Sequence, residues 1–247
     1  MKKDGTASIR IAIPEACSYD LEYSDRALPP YLRAIEAAGG EPVIIPLKSS
    51  PEEIAKIVTS CDAVLLPGSK ADVDPQKYGA EKAPETALAD QPRDAADELL
   101  LQDAYNLHKP VFGICYGLQS LNVWRSGTLV QHIHSSVNHS AGAKVEVAHK
   151  VAVAAASLLA DQILSGQQTA SIRVNSSHHQ SADIVGDGLR AVALCPEDGV
   201  IEAIEGTVPG HYVLAVQWHP ERTFEQDPIS RRLFQAFVDS ARQWSER

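Results

Sequence analysis

Residues 111 to 123 read Val-Phe-Gly-Ile-Cys-Tyr-Gly-Leu-Gln-Ser-Leu-Asn-Val. A cysteine between two glycines, after an apolar run and before a helical pattern, has the logic of a nucleophile elbow, with sulfur replacing the usual serine oxygen. Backbone segments crowd at such a turn, which explains glycine at 113 and 117. Cys115 then opens a helix, where the macrodipole favours a negatively charged sulfur. The peptide N–H of Tyr116 points to where a tetrahedral oxyanion would form. The competing reading is a buried structural cysteine after a core strand. Further on, residues 215 to 221 read Ala-Val-Gln-Trp-His-Pro-Glu. An imidazole at His219 can take the proton of a thiol. Glu221, across a stiffening proline, can fix its tautomer.

These groups need a scaffold, and the pattern around them supplies one. Ile9–Ile13, Val43–Ile45, Ala63–Leu66 and Val111–Ile114 read as strands. Between them, Pro30–Ala38, Pro51–Val58 and Asp94–Leu107 read as helices, the second with Ser50 as N-cap and Pro51 in its first turn. The alternation predicts a mostly parallel sheet with helices on both faces, a three-layer α/β/α arrangement. Ligands bind beyond the carboxyl ends of such strands, where Gly68 and Cys115 both fall. The second half is different. Lys144–Val147, Val151–Ala154, Ser171–Val174, Leu189–Leu194, Ile201–Ile204 and Val213–Gln217 read as short strands, predicting antiparallel additions. A closing helix runs from Ile229 to about Trp244. Two long connections, Lys70 to Arg93 and His132 to Ala143, have the length of binding loops.

Composition narrows the rest. A chain of 247 residues fits one large α/β domain, taken here as 1–247. The net charge of -10 predicts no nucleic-acid partner and no anionic membrane partner. The opening Met-Lys-Lys-Asp-Gly-Thr leads into too short an apolar run for a secretory leader, and no window approaches the roughly twenty apolar residues of a membrane span. Four widely spaced cysteines, at 17, 61, 115 and 195, suggest neither a disulfide framework nor a zinc site. The expected home is a reducing cytoplasm. Cys17, Cys61 and Cys195 read as small core residues.

Taken together, Gly-Ile-Cys-Tyr-Gly-Leu-Gln and Val-Gln-Trp-His-Pro-Glu resemble the class I glutamine amidotransferase superfamily. Four further segments resemble one branch of it. They are Leu-Pro-Gly-Ser-Lys-Ala-Asp-Val-Asp-Pro (66–75), Ser-Gly-Thr-Leu-Val-Gln-His-Ile (126–133), Val-Asn-Ser-Ser-His-His-Gln (174–180) and Asp-Gly-Val-Ile-Glu-Ala-Ile-Glu (198–205). That branch is the peptidase C26 family, especially its γ-glutamyl-γ-aminobutyrate hydrolase type, and the likeness runs from about residue 9 to 240. It implies a flavodoxin-like fold and a Cys-His-Glu triad: Cys115 as nucleophile, His219 as base and acid, Glu221 as its orienter. It implies an oxyanion hole from the N–H groups of Gly68 and Tyr116, and substrate contacts from Gln119, Ser177 and His178. No metal or organic cofactor is implied. The sequence departs from the branch at Tyr116, where arginine is usual, at Pro-Gly-Ser for Pro-Gly-Gly, and at Ser-Gly-Thr-Leu for Gly-Gly-Thr-Leu. All three are expected near the pocket mouth.

The resemblance therefore predicts hydrolysis of a γ-glutamyl amide through a γ-glutamyl thioester, with a small γ-glutamyl compound as substrate. Three other readings stand beside it: a glutaminase subunit feeding ammonia to a separate synthase, a non-catalytic binding protein on the same fold, and an ester or peptide hydrolase. A homodimer and a synthase partner are both compatible with the resemblance.

Overall fold

Local capping and apolar striping decide where the elements begin. In the computed structural model, which describes residues 8–163 and 170–247, the chain opens with β1 (Ile9–Pro14), α1 (Leu21–Ala37), β2 (Gly40–Ile45), α2 (Pro51–Thr59), β3 (Ala63–Leu66), α3 (Gln91–Leu107), β4 (Val111–Ile114) and α4 (Tyr116–Trp124). It continues with β5 (Leu129–Val130), β6 (His149–Val153), α5 (Leu158–Ile163), β7 (Ala170–Val174), β8 (Ser181–Ala182), β9 (Leu189–Leu194), β10 (Ile201–Gly206), β11 (Val213–Val216), α6 (Pro220–Thr223) and α7 (Pro228–Ser245). The opening Met-Lys-Lys-Asp-Gly-Thr lies outside the described residues.

Nine of these strands form one sheet in the order β2-β1-β3-β4-β11-β10-β9-β6-β7. The first five are mutually parallel. From β10 onward every pairing is antiparallel. Alternate strand residues feed two cores. On one face Ile11, Ile13, Phe112 and Ile114 meet Tyr31 and Ile35 of α1 and Leu233, Phe234 and Phe237 of α7. On the other Ala12, Val64, Leu66 and Val111 meet Ile54 and Val58 of α2, Leu100 and Leu101 of α3, and Leu118 of α4. The three-layer α/β/α expectation therefore holds, as does the split between a parallel and an antiparallel half.

Several starts shift by two or three residues, β2 to Gly40, α3 to Gln91 and β6 to His149, and two readings differ more. The first helix starts at Leu21, not Pro30, with Asp20 as N-cap accepting from the Tyr23 N–H. Pro29 and Pro30 lie inside it. Each removes a helical N–H, but a buried stripe of Ser24, Leu28, Tyr31 and Ile35 runs through the prolines and carries the helix across them. Lys144–Val147 forms no strand. Val145 bonds back to the Gly142 carbonyl in a turn, and Val145 and Val147 are exposed, so nothing rewards pairing before β6. Elsewhere the cap of α2 forms as expected, as a complete box between Ser50 and Glu53.

Candidate active site

Three adjacent parallel strands, β3, β4 and β11, end at the same edge of the sheet. Beyond β3 comes Pro67-Gly68, beyond β4 comes Cys115, and beyond β11 come Gln217, Trp218 and His219. The residues that sequence and resemblance single out are thus delivered by neighbouring strands to the position where open α/β sheets bind ligands. A Cβ built on Gly68 would lie 3.1 Å from His219 Cε1 and 3.6 Å from Cys115 Cβ, which puts all three together.

The elbow is a strained turn. Cys115 holds φ 54 and ψ -106, a conformation L-residues rarely adopt. It serves as the N-cap of α4 without any side-chain capping bond, so its sulfur stays uncommitted to the helix end. The chain can pass here only because residue 117 has no side chain: a Cβ there would lie 2.1 Å from the Leu66 carbonyl oxygen. The Tyr116 N–H is the first of α4, one of the N–H groups that a helix leaves without an internal partner.

His219 sits 4% exposed, with Nδ1 2.8 Å from Glu221 Oε1. Its Nε2 makes no hydrogen bond. Burial works against charge on this ring, but the Glu221 carboxylate and then Cys115 outweigh it and push the pKa up to about 9. The ring is thus a proton donor at neutral pH, with Nδ1–H committed to Glu221 and Nε2–H left without a partner. Arg222 approaches the same carboxylate at 3.5 Å and donates to Ser177 Oγ at 2.7 Å.

Several side chains that the sequence reading did not single out hold this geometry. Asn175 clamps the backbone of His219 on both sides, accepting its N–H at 2.9 Å and donating to its carbonyl at 2.8 Å. Arg93 is wholly buried at the start of α3. It donates to Asp97, to the Pro67 carbonyl at 2.7 Å and to the Ala16 carbonyl at 3.2 Å, and its guanidinium stacks 4.8 Å from the centre of the Tyr116 ring. One cation thereby fixes the turn before Gly68 and the residue after Cys115. The Gly68 N–H is donated to the Tyr31 hydroxyl at 3.1 Å. Burial, then Glu221, raise the Tyr31 pKa, so this phenol is a neutral hydroxyl.

Other expected residues are placed as follows. Gln119 is buried one turn past Cys115, its Nε2 3.2 Å from the Gln180 carbonyl and 3.3 Å from Gln217 Oε1. Ser177 accepts from Arg222. The resemblance puts His178 on the substrate, yet here its Nδ1 meets the Gln180 carbonyl and its Nε2 faces Glu202. Tyr116 does not stand at the pocket mouth. Its side chain is buried, with the hydroxyl on Asp94 at 2.5 Å, so the arginine-to-tyrosine departure changes the support under the elbow. Cys17, Cys61 and Cys195 are buried, as expected of small core residues. The loop after Gly68 is pinned over the 129–131 and 179 regions by Gln131, which accepts from Ala83 and Thr86, and by Asp72, which meets His179. Beside Glu221, a cleft of about 430 Å³ is lined by Tyr23, Arg26, Tyr31, Arg33 and Arg222 among others.

No helix among the described residues is long and apolar enough to cross a membrane. The sequence model of the family described as "Peptidase C26" matches residues 14–221. The Mycobacterium tuberculosis protein named "Putative glutamine amidotransferase Rv2859c" is 41% identical over 85% of this chain, which spans 66% of that longer protein, just under two thirds. Gamma-glutamyl-gamma-aminobutyrate hydrolase PuuD of Escherichia coli (strain K12) is 33% identical, covering 84% of this chain and 83% of its own. The fold matches the crystal structure of a "putative gmp synthase subunit a protein" from Thermoplasma acidophilum with a TM-score of 0.67, 16% identity and 96% coverage of both chains. With the family model spanning most of the chain and the parallel-core fold shared, this protein belongs to the peptidase C26 family of class I glutamine amidotransferase-like hydrolases.

Proposed function

We propose that the protein hydrolyses a γ-glutamyl amide, releasing glutamate and a small amine through a thioester on Cys115. The observation that carries this reading is the strained Cys115 elbow set beside a buried His219–Glu221 pair on adjacent strand ends. The name of the Escherichia coli relative points to the same class of bond.

In this reading the sulfur of Cys115 attacks the γ-carbonyl carbon. The carbonyl oxygen becomes an oxyanion and receives the N–H groups of Tyr116 and Gly68, taking over the latter from the Tyr31 hydroxyl. Loss of one such donor typically costs about a hundredfold in rate. His219, protonated and supported by Glu221, gives its proton to the departing amine nitrogen as the C–N bond breaks. The neutral imidazole then takes a proton from water. The resulting hydroxide attacks the thioester, and the C–S bond breaks to release glutamate and regenerate the sulfur nucleophile. Gln119 and Ser177 are the side chains proposed to hold the glutamyl portion, with the 178 segment beside them. None of these steps calls on a metal.

The test is glutamate release from glutamine, γ-glutamyl-γ-aminobutyrate, γ-glutamyl dipeptides and a folyl polyglutamate, with Cys115→Ala as control. Release from one small amide, abolished in the variant, is the expected outcome. Undiminished release by the variant would overturn the reading. Silence on every amide, with Cys115 still alkylated by a glutamine-like diazoketone, would instead favour a glutaminase subunit awaiting a synthase. Silence without alkylation would favour a binding protein.

A further inference from the structure

Behind the active site, four side chains from four separate segments converge. His139 comes from the 132–143 loop, His149 from β6, His178 from the segment after β7 and Glu202 from β10. All are buried, Glu202 completely. Glu202 Oε1 lies 3.2 Å from His139 Nδ1, 3.3 Å from His149 Nε2 and 3.7 Å from His178 Nε2. None of these three nitrogens makes a hydrogen bond, and neither does either oxygen of Glu202. Such a set of facing, unpaired polar atoms in a protein interior calls for a physical account.

The outer nitrogens supply it. His139 Nε2 meets Asp198 Oδ2 at 2.9 Å, His149 Nδ1 meets the Lys150 carbonyl at 3.1 Å, and His178 Nδ1 meets the Gln180 carbonyl at 2.9 Å. Ionised carboxylates and carbonyls only accept, so each outer nitrogen carries the hydrogen. Each inner nitrogen of a neutral ring therefore presents a lone pair, and three lone pairs point at a carboxylate. That arrangement repels itself unless a proton sits on an inner nitrogen or a metal ion stands at the centre. Histidines whose far N–H is held by a carboxylate or backbone carbonyl are the usual supporting shell of a metal site.

We infer that His139, His149, His178 and Glu202 bind a divalent transition-metal ion, zinc being the best match. Ligands about 2.0–2.1 Å from a tetrahedral zinc lie about 3.3 Å from one another, close to the three spacings to Glu202. Three imidazoles and one carboxylate suit zinc better than the all-oxygen preference of magnesium or calcium. Four protein ligands leave no open position, so the ion is structural. It ties together two loops that already bond to each other: His178 N–H to the His139 carbonyl, Ser176 Oγ to the same carbonyl, and Ser140 Oγ to the His178 carbonyl. One of those loops carries Asn175, the clamp on His219. Glu202 in turn accepts the Gln217 N–H through its carbonyl, two residues before His219. The sequence shows no zinc spacing because the ligands come from four segments and none is cysteine.

The experiment is metal analysis of the full-length protein, purified without chelator, followed by removal of metal and titration with cobalt(II) and zinc. One equivalent per chain is expected. Cobalt should give the intense visible bands of a four-coordinate site, zinc should displace it, and zinc should raise the melting temperature of the stripped protein. Glu202→Gln and His149→Ala should each lose the stoichiometric metal and the zinc-dependent melting shift, whereas His132→Ala, outside the cluster, should keep both. Wild-type protein that holds no metal as isolated and takes up neither ion would overturn the inference and leave a proton as the central cation. Stoichiometric binding with weak six-coordinate bands, or binding that survives both ligand substitutions, would overturn it equally. The wild-type titration decides even if the variants fail to fold. Because the readouts are metal content, spectrum and melting, the outcome is independent of whether γ-glutamyl amides are the substrate.

Discussion

At the residue scale, the raised pKa of His219 sets the pH behaviour. In the proposed reaction the ring is protonated to expel the amine, so activity should fall on the alkaline side near pH 9. Glu221→Gln removes the main charge that holds the proton there, and the alkaline limb of kcat/KM should move to lower pH, with kcat down about a hundredfold or more. A limb that stays in place would mean that another group titrates. Linkage carries the same sign. A histidine whose folded pKa exceeds its unfolded value of about 6.5 adds stability that is complete below that value and is lost as pH rises toward 9. Asn175→Ala should lower kcat while leaving KM nearly unchanged, because both lost bonds hold the backbone of His219, the proposed base. The elbow and the His-x-Glu pair were legible because each is written in a few consecutive residues. Arg93, Asn175 and Tyr31 were not, because their partners include the backbone groups of Pro67, His219 and Gly68, which only the folded chain brings within reach.

At the element scale, strand ends and helix starts do the positioning. Gly117→Ala would drive a methyl group into the Leu66 carbonyl and should prevent β3, β4 and α4 from packing. Loss of the folded state by circular dichroism, or a stability loss of several kcal/mol, is expected. Helix α1 offers the opposite case. Its double proline misled the sequence reading because proline in a helix pattern usually marks a start or an end, whereas here the buried stripe continues through it. Replacing Pro29 and Pro30 with alanine should restore two helical N–H donors and raise stability by about 1 kcal/mol or more, seen as a higher melting temperature. The parallel first half was legible because β3 and β4 are fully buried apolar runs, β1 nearly so, with capped helices between the strands. The two-residue strands β5 and β8 were not, being too short to carry a period.

At the scale of the whole molecule, the buried Arg93–Asp97 pair links the loop after β1, the turn after β3, and α3. Arg93→Met leaves Asp97 buried without its cation and should cost roughly 3–5 kcal/mol, while adding Asp97→Leu should recover much of that loss. Denaturant melts of the two single variants and the double variant check the cycle. The order of the sheet has one more consequence, for synthesis. Strand β11 is the last of the chain, yet it lies between β4 and β10, in register with Val111–Ile114. A ribosome that has released the elbow must still make about a hundred residues before the strand that carries His219 can enter the sheet. Until then β4 presents an open edge, and the cysteine has no imidazole beside it. The nascent chain is therefore chemically quiet but sticky, and the enzyme's reactivity and its protection against aggregation are acquired in the same late event.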